Sequence, residues 1–97
     1  MNLEQLEYQI TLLDGKSVVV IQPHSGKVSI AYTGQLQVTN NGEGLVGFHL
    51  VTPLNEAALS FFAPDVVSLE QPQQKNIEKI IRLKGPHQYN EQYVPTI

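Results

Sequence analysis

Between residues 17 and 69 the apolar residues come in five short runs, and turn-forming residues separate them. Such punctuation leaves room for short strands and little else. Residues 17–22 hold Val18, Val19, Val20 and Ile21, a β-branched run that suits a pleated, half-buried surface. Pro23-His24-Ser25-Gly26 then turns the chain, because proline presets φ and glycine accepts positive φ. In residues 28–38, Val28, Ile30 and Tyr32 alternate, and Leu36 and Val38 resume the alternation beyond Gly34. A glycine inside a strand marks a bulge or sharp bend. Asn40-Asn41-Gly42 is a hairpin signal. Residues 45–51 form the next run, with Gly47 as a second bend, and Pro53-Leu54-Asn55 turns again. Two further runs, 59–62 and 66–69, flank Ala63-Pro64-Asp65. Five short strands with glycine bends predict an all-β fold, a small, strongly bent antiparallel five-stranded barrel of SH3 type.

The two ends read differently. Leu3, Leu6, Ile10 and Leu13 recur at helical spacing, with Asn2 as N-cap and Gly15 beyond the C-terminus. Yet Leu6, Tyr8, Ile10 and Leu12 also alternate, and Asp14-Gly15 suits a hairpin, so helix and strand both fit this segment. Over 72–83 a helix is expected. Pro72 would stand at its first turn and Gly85-Pro86 past its end, with Ile77, Ile80 and Ile81 on one stripe. Gln71-Pro72-Gln73-Gln74 divides a domain over 1–70 from a C-terminal extension over 71–97, whose last residues, from His87, have no period.

Ninety-seven residues make one domain. Charged residues are 15% of the chain, against about 25% in an average domain; ten glutamines and six asparagines fill the gap. A net charge of −3 argues against a highly basic nucleic-acid binder. No apolar run approaches the ~18 residues of a membrane span. The absence of cysteine removes disulfides, thiolate chemistry and Cys-based zinc sites. Glu4 and Glu7, with no early Lys or Arg, are unlike a signal or transit peptide. These features predict a soluble cytoplasmic module with no membrane partner.

Several motifs resemble those of the Sm and Sm-like family, whose members have a short N-terminal helix and five bent strands and assemble into RNA-binding rings. Val18–Ile21 precedes Ser25-Gly26-Lys27, and Gly34-Gln35-Leu36-Gln37-Val38-Thr39-Asn40 is similar to the family's Gly-x-Leu-x-x-x-Asp, with Asn for Asp. Residues 58–70 look like its second motif, two short strands about a tight turn. The likeness covers about residues 17–70, and 3–70 with an N-terminal helix. It departs at two places: Gly44 stands where the family has a base-reading Asn, and Phe62-Ala63 where it has Arg-Gly. The family's uridine pocket therefore does not carry over intact, and the chain resembles a divergent, phage-type member. What the resemblance implies is a homo-oligomeric ring binding RNA or single-stranded DNA.

Asn40 and Asn41 are the candidates for base recognition, since an amide both donates and accepts at a base edge; the same residues also suit a turn. Lys75, Lys79, Arg82 and Lys84 form a basic segment with only Glu78 against it, a phosphate-contact candidate or an ordinary solvated face. Tyr32 and Phe48 could stack on unpaired bases or fill the core. Phe61 and Phe62 are adjacent, so in a strand they point to opposite faces. Leu59, Phe61, Phe62, Val66 and Val67 are candidates for a subunit interface, because the runs that carry them would be edge strands without blunting lysines. His24, His49 and His87 have no metal-ligand spacing. Glu56, Asp65 and Glu70 read as an acidic rim, and no nucleophile elbow or phosphate loop occurs. No enzymatic activity and no cofactor are expected.

Overall fold

The computed structural model describes residues 2–26, 28–40, 42, 44–54 and 57–85. At the N-terminus the helix prevails: α1 spans Leu3–Thr11. Its start is a capping box. The Asn2 Oδ1 accepts from the Gln5 amide at 2.8 Å, and the Gln5 Oε1 accepts from the Asn2 amide at 3.1 Å, which satisfies amides that no helical carbonyl can reach. Ile10 and Leu13 turn inward and are buried.

Six strands follow: β1 (Ser17–Ser25), β2 (Val28–Asn40), β3 (Val46–Val51), β4 (Ala57–Phe61), β5 (Val66–Glu70) and β6 (Lys79–Leu83), with one 3₁₀ turn, Ala63–Asp65, between β4 and β5. They form a single sheet in the order β4-β3-β2-β1-β6-β5. The fold is thus predominantly β, as the sequence predicts, but the expected five-stranded, wholly antiparallel closed barrel gives way to an open, mixed sheet of six. The pairing of β1 with β6 is parallel, and all others are antiparallel.

The sixth strand replaces the helix expected over 72–83. On a helix Ile77, Ile80 and Ile81 would share one stripe. On the strand Ile81 and Leu83 enter the core, while Ile80 and Arg82 face outward. Two open ladder edges, of β1 and β5, bind this segment from both sides, and tertiary pairing overrides the local proline and glycine signals. The strand behind the Gln71-Pro72 stretch is therefore interior to the sheet.

Gly34 is the pivot of β2. Residues before it pair with β1; Gln35 pairs with both Ser17 and Val51; later residues pair with β3. Beyond the pivot, the turn after α1 carries on the β1 side of the ladder, with the Gly15 amide donating to the Leu36 carbonyl at 2.7 Å and the Leu36 amide donating to the Lys16 carbonyl at 3.0 Å. The sheet is also rolled. Laid flat, its edge strands would stand about 24 Å apart, five spacings of ~4.8 Å. The five Cα steps from Phe61 to Val66 reach at most ~18 Å, and the 3₁₀ turn shortens that. Curling brings the end of β4 toward the start of β5 without pairing them. The inner face carries the core: Val18, Val20, Leu36, Phe48, Leu50 and Ile81 are fully buried, and α1 packs on the 3₁₀ turn.

Candidate functional site: assembly edges and nucleic-acid contacts

The structure scatters the basic segment rather than gathering it. Lys75 is exposed ahead of β6, and Lys84 is exposed just past it. Lys79 and Arg82 lie on opposite faces of the strand, because three residues apart is an odd step in a period of two. The Lys79 Nζ donates to the Gln71 Oε1 at 3.0 Å. Arg82 grips Glu70 across the β5–β6 ladder, Nε to Oε2 at 2.6 Å and Nη2 to Oε1 at 3.1 Å, while the Ser68 hydroxyl donates to Oε2 at 3.0 Å.

That clip has a pH signature. The Arg82 guanidinium, and after it the Ser68 hydroxyl, hold the Glu70 carboxyl below its usual range, and Glu70 in turn raises Arg82. A carboxyl with a lowered folded pKa stabilises the fold above its unfolded value, ~4.3, and that contribution disappears as pH falls through the folded value. In thermal melts, Glu70→Gln is expected to lie below the native protein at pH 7 and to converge with it as acid protonates the carboxyl. A gap independent of pH would mean that the substitution acts through packing and not through the charge of the carboxylate. Both side chains are about 40% exposed (42% and 39%), so the effect is that of a partly solvated pair.

Asn40 ends β2, and its Oδ1 accepts from the Gly42 amide at 2.9 Å. One face of the amide is therefore engaged in the turn itself. Asn41 lies outside the described residues, as do Glu56 and His87. Of the stacking candidates, Phe48 is fully buried and Tyr32 packs half-buried against the core.

Strands β4 and β5 form the two edges of the sheet. Their side chains divide sharply. Phe61 and Val66 are buried in the chain's own core, Leu59 packs partly against it, and Phe62 and Val67 are exposed, 45% and 58%. Val67 falls where the β5–β6 register shifts.

Two arrangements on the outer face were not singled out by sequence. In the first, the His49 Nδ1 and Ser60 Oγ are 2.7 Å apart, and the His49 Nε2 lies 3.0 Å from the Thr39 Oγ1. The third member is a hydroxyl and not a carboxylate, so among the described residues no negative group stands against the ring as in a catalytic triad. Beside it the Phe62 ring covers Gly47, whose missing Cβ would stand 3.5 Å from that ring. The second is a cleft of about 710 Å³ at the Gly34 pivot. Residues 33, 35 and 37 share one face of β2, and Gln35 and Gln37 reach into it with Asn76 from the turn before β6. Alternation about Gly34 is the signal that could have found them. No three His, Asp or Glu side chains cluster as a metal site among the described residues, and none of their helices is long and apolar enough to cross a membrane.

No family model matches the chain, and neither a curated protein nor a solved structure matches it.

Proposed function

We propose that the chain is a non-enzymatic, Sm-like module that assembles edge to edge into a ring and holds single-stranded nucleic acid weakly. One observation carries the assembly reading: the open sheet ends in β4 and β5, and neither edge is blunted by lysine. β4 has no charged residue, and the single charge of β5, Glu70, is engaged by Arg82. Unpaired backbone groups along such edges are templates for a further strand. Pairing β4 of one copy with β5 of the next is heterologous and closes a ring when the rotation closes. The order of helix, five strands and 3₁₀ turn before β6 is in keeping with the family resemblance.

The engagement of Lys79 and Arg82 favours a second reading, in which the ring serves protein contacts only. Lys75 and Lys84 stand exposed at the two ends of the β6 segment, and repetition around a ring multiplies their field. Sizing with light scattering at micromolar concentration is expected to give a defined oligomer, and Val67→Lys, a charge on an exposed edge position, to shift it toward monomer. A sharp monomeric peak for the unaltered protein sinks the ring. Retention on single-stranded RNA should then fall steeply with salt. If no homopolymer binds below about 100 micromolar at low salt, where electrostatic binders normally reach that range, the protein-contact reading stands instead.

A further inference from the structure

The cleft at the Gly34 pivot has a composition that selects its ligand. Its lining residues come from β1, β2, the end of β3 and the turn before β6, and none of them carries a charge. Its volume lies within the range of small-ligand sites, ~300–1,000 Å³. Three primary amides, Gln35, Gln37 and Asn76, are exposed at its walls. None of the three makes a side-chain hydrogen bond among the described residues, in contrast to Asn40, whose Oδ1 is held by its turn. Gln35 and Gln37 are two positions apart on one strand, hence on one face and about 7 Å apart. Val51, Pro53 and Ile77 add apolar surface.

We propose that this cleft, rather than the 40–41 loop, receives the edge of an unpaired nucleobase. With no charged side chain in its lining, the cleft suits a neutral polar ligand better than a phosphate or a metal ion. An amide offers a donor and an acceptor side by side, and that pair matches a base edge in its plane, adenine N6 and N7 above all. The apolar wall residues give the base a surface to lie against. The charge needed for the backbone is outside the cleft, on the exposed Lys75 next to Asn76. Division of labour follows: lysine holds the strand, and amides choose the base. This inference rests on the nucleic-acid part of the reading above.

The test uses the full chain and fluorescent 18-mers of A, U, C and G, titrated at two salt concentrations. The native protein is expected to rank the four, with A tightest. Gln35→Ala with Gln37→Ala should weaken the preferred homopolymer at least about fivefold and leave the others and the salt slope unchanged. Gln73→Ala, an exposed amide outside the cleft, should change nothing. Asn76→Ala, in a turn and remote from the ladder, repeats the test without touching a strand. A ranking that survives both cleft variants, or a uniform loss for all four sequences, overturns the cleft as the base site while the RNA reading stands. Binding of none of the four overturns both.

Discussion

Gly34→Val is expected to lower the melting temperature by more than about 10 °C. The reason is a close approach of backbone to backbone. A Cβ at Gly34 would fall on the Val51 carbonyl, with the carbonyl carbon at 3.0 Å and the Leu50 Cγ at 3.2 Å. Val51 pairs with Gln35 and with Ala57, so it is tied on both sides and cannot step aside without moving β3. A contact with the end of a flexible side chain would relax cheaply. The same substitution logic at Gly47 meets only such ends, the Thr39 Oγ1 at 3.3 Å and the Phe62 ring at 3.5 Å. Overpacking against a fixed group costs on the order of 1–3 kcal/mol or more, and backbone is the least yielding neighbour. At about 4–8 °C per kcal/mol for a domain of this size, a cost of about 2–3 kcal/mol lowers the midpoint by roughly 8–24 °C, and a larger one by more. Circular-dichroism melts of Gly34→Ala, Gly34→Val and Gly47→Ala decide it. A Gly34→Val protein that melts within about 2 °C of the native one would show that β3 shifts freely and that the pivot lies elsewhere.

The same glycine shows how far local pattern reaches. Alternation on both sides of Gly34, with no turn residue at it, was enough to predict one long bent strand, and β2 is that strand. The register of each hairpin follows from its turn and its buried face. The C-terminal segment was misread because its signals are local and its fate is not. Pro72, Gly85 and the isoleucine spacing all favour a helix taken alone. What decides against it is the free parallel edge of β1, set some sixty residues away: Val18 pairs with Lys79 and Val20 with Ile81. No window along the chain contains both partners. With a strand inserted beside β1, the sheet has six strands and both edges remain open.

The layout of the basic segment was misread for the same reason. Lys75, Lys79 and Arg82 share one face of a helix, but β6 sends Lys79 and Arg82 to opposite faces. Sequence also cannot show that Glu70 stands beside Arg82 twelve residues on, within 2.6 Å. The outer-face amides were legible in principle. Once residues 28–38 are read as a strand with an inward Leu36, Gln35 and Gln37 must point the other way. Asn76 was not legible, because it joins them only through the course of the turn before β6.

Phe48→Ala is expected to be the costliest single truncation, about 3–5 kcal/mol. Phe48 is fully buried in the middle of a cross-strand row, opposite Val38 on β2 and Phe61 on β4. Its ring centroid lies 5.5 Å from that of Phe61, with planes tilted by 34°, a separation at which aromatic pairs gain about 0.5–1.5 kcal/mol beyond the area they bury. Removing the ring loses that pair and opens a cavity between three strands. A domain of this size holds roughly 5–15 kcal/mol in all, so the variant should unfold at much lower urea, with its slope unchanged if the unfolded state is the same. The loss should not be evenly spread. β4 has a single neighbour in the sheet, β3, and its one fully inward aromatic, Phe61, rests on Phe48. In Phe48→Ala the amides of β4 should therefore lose hydrogen-exchange protection before those of β1, which has strands on both sides. Because β4 is also the proposed docking edge, the variant should lose its oligomer at temperatures where its far-ultraviolet dichroism is still that of a folded sheet. Protection that falls equally in β1 and β4 would mean that the sheet opens as one unit, and that the edge has no independent freedom to supply.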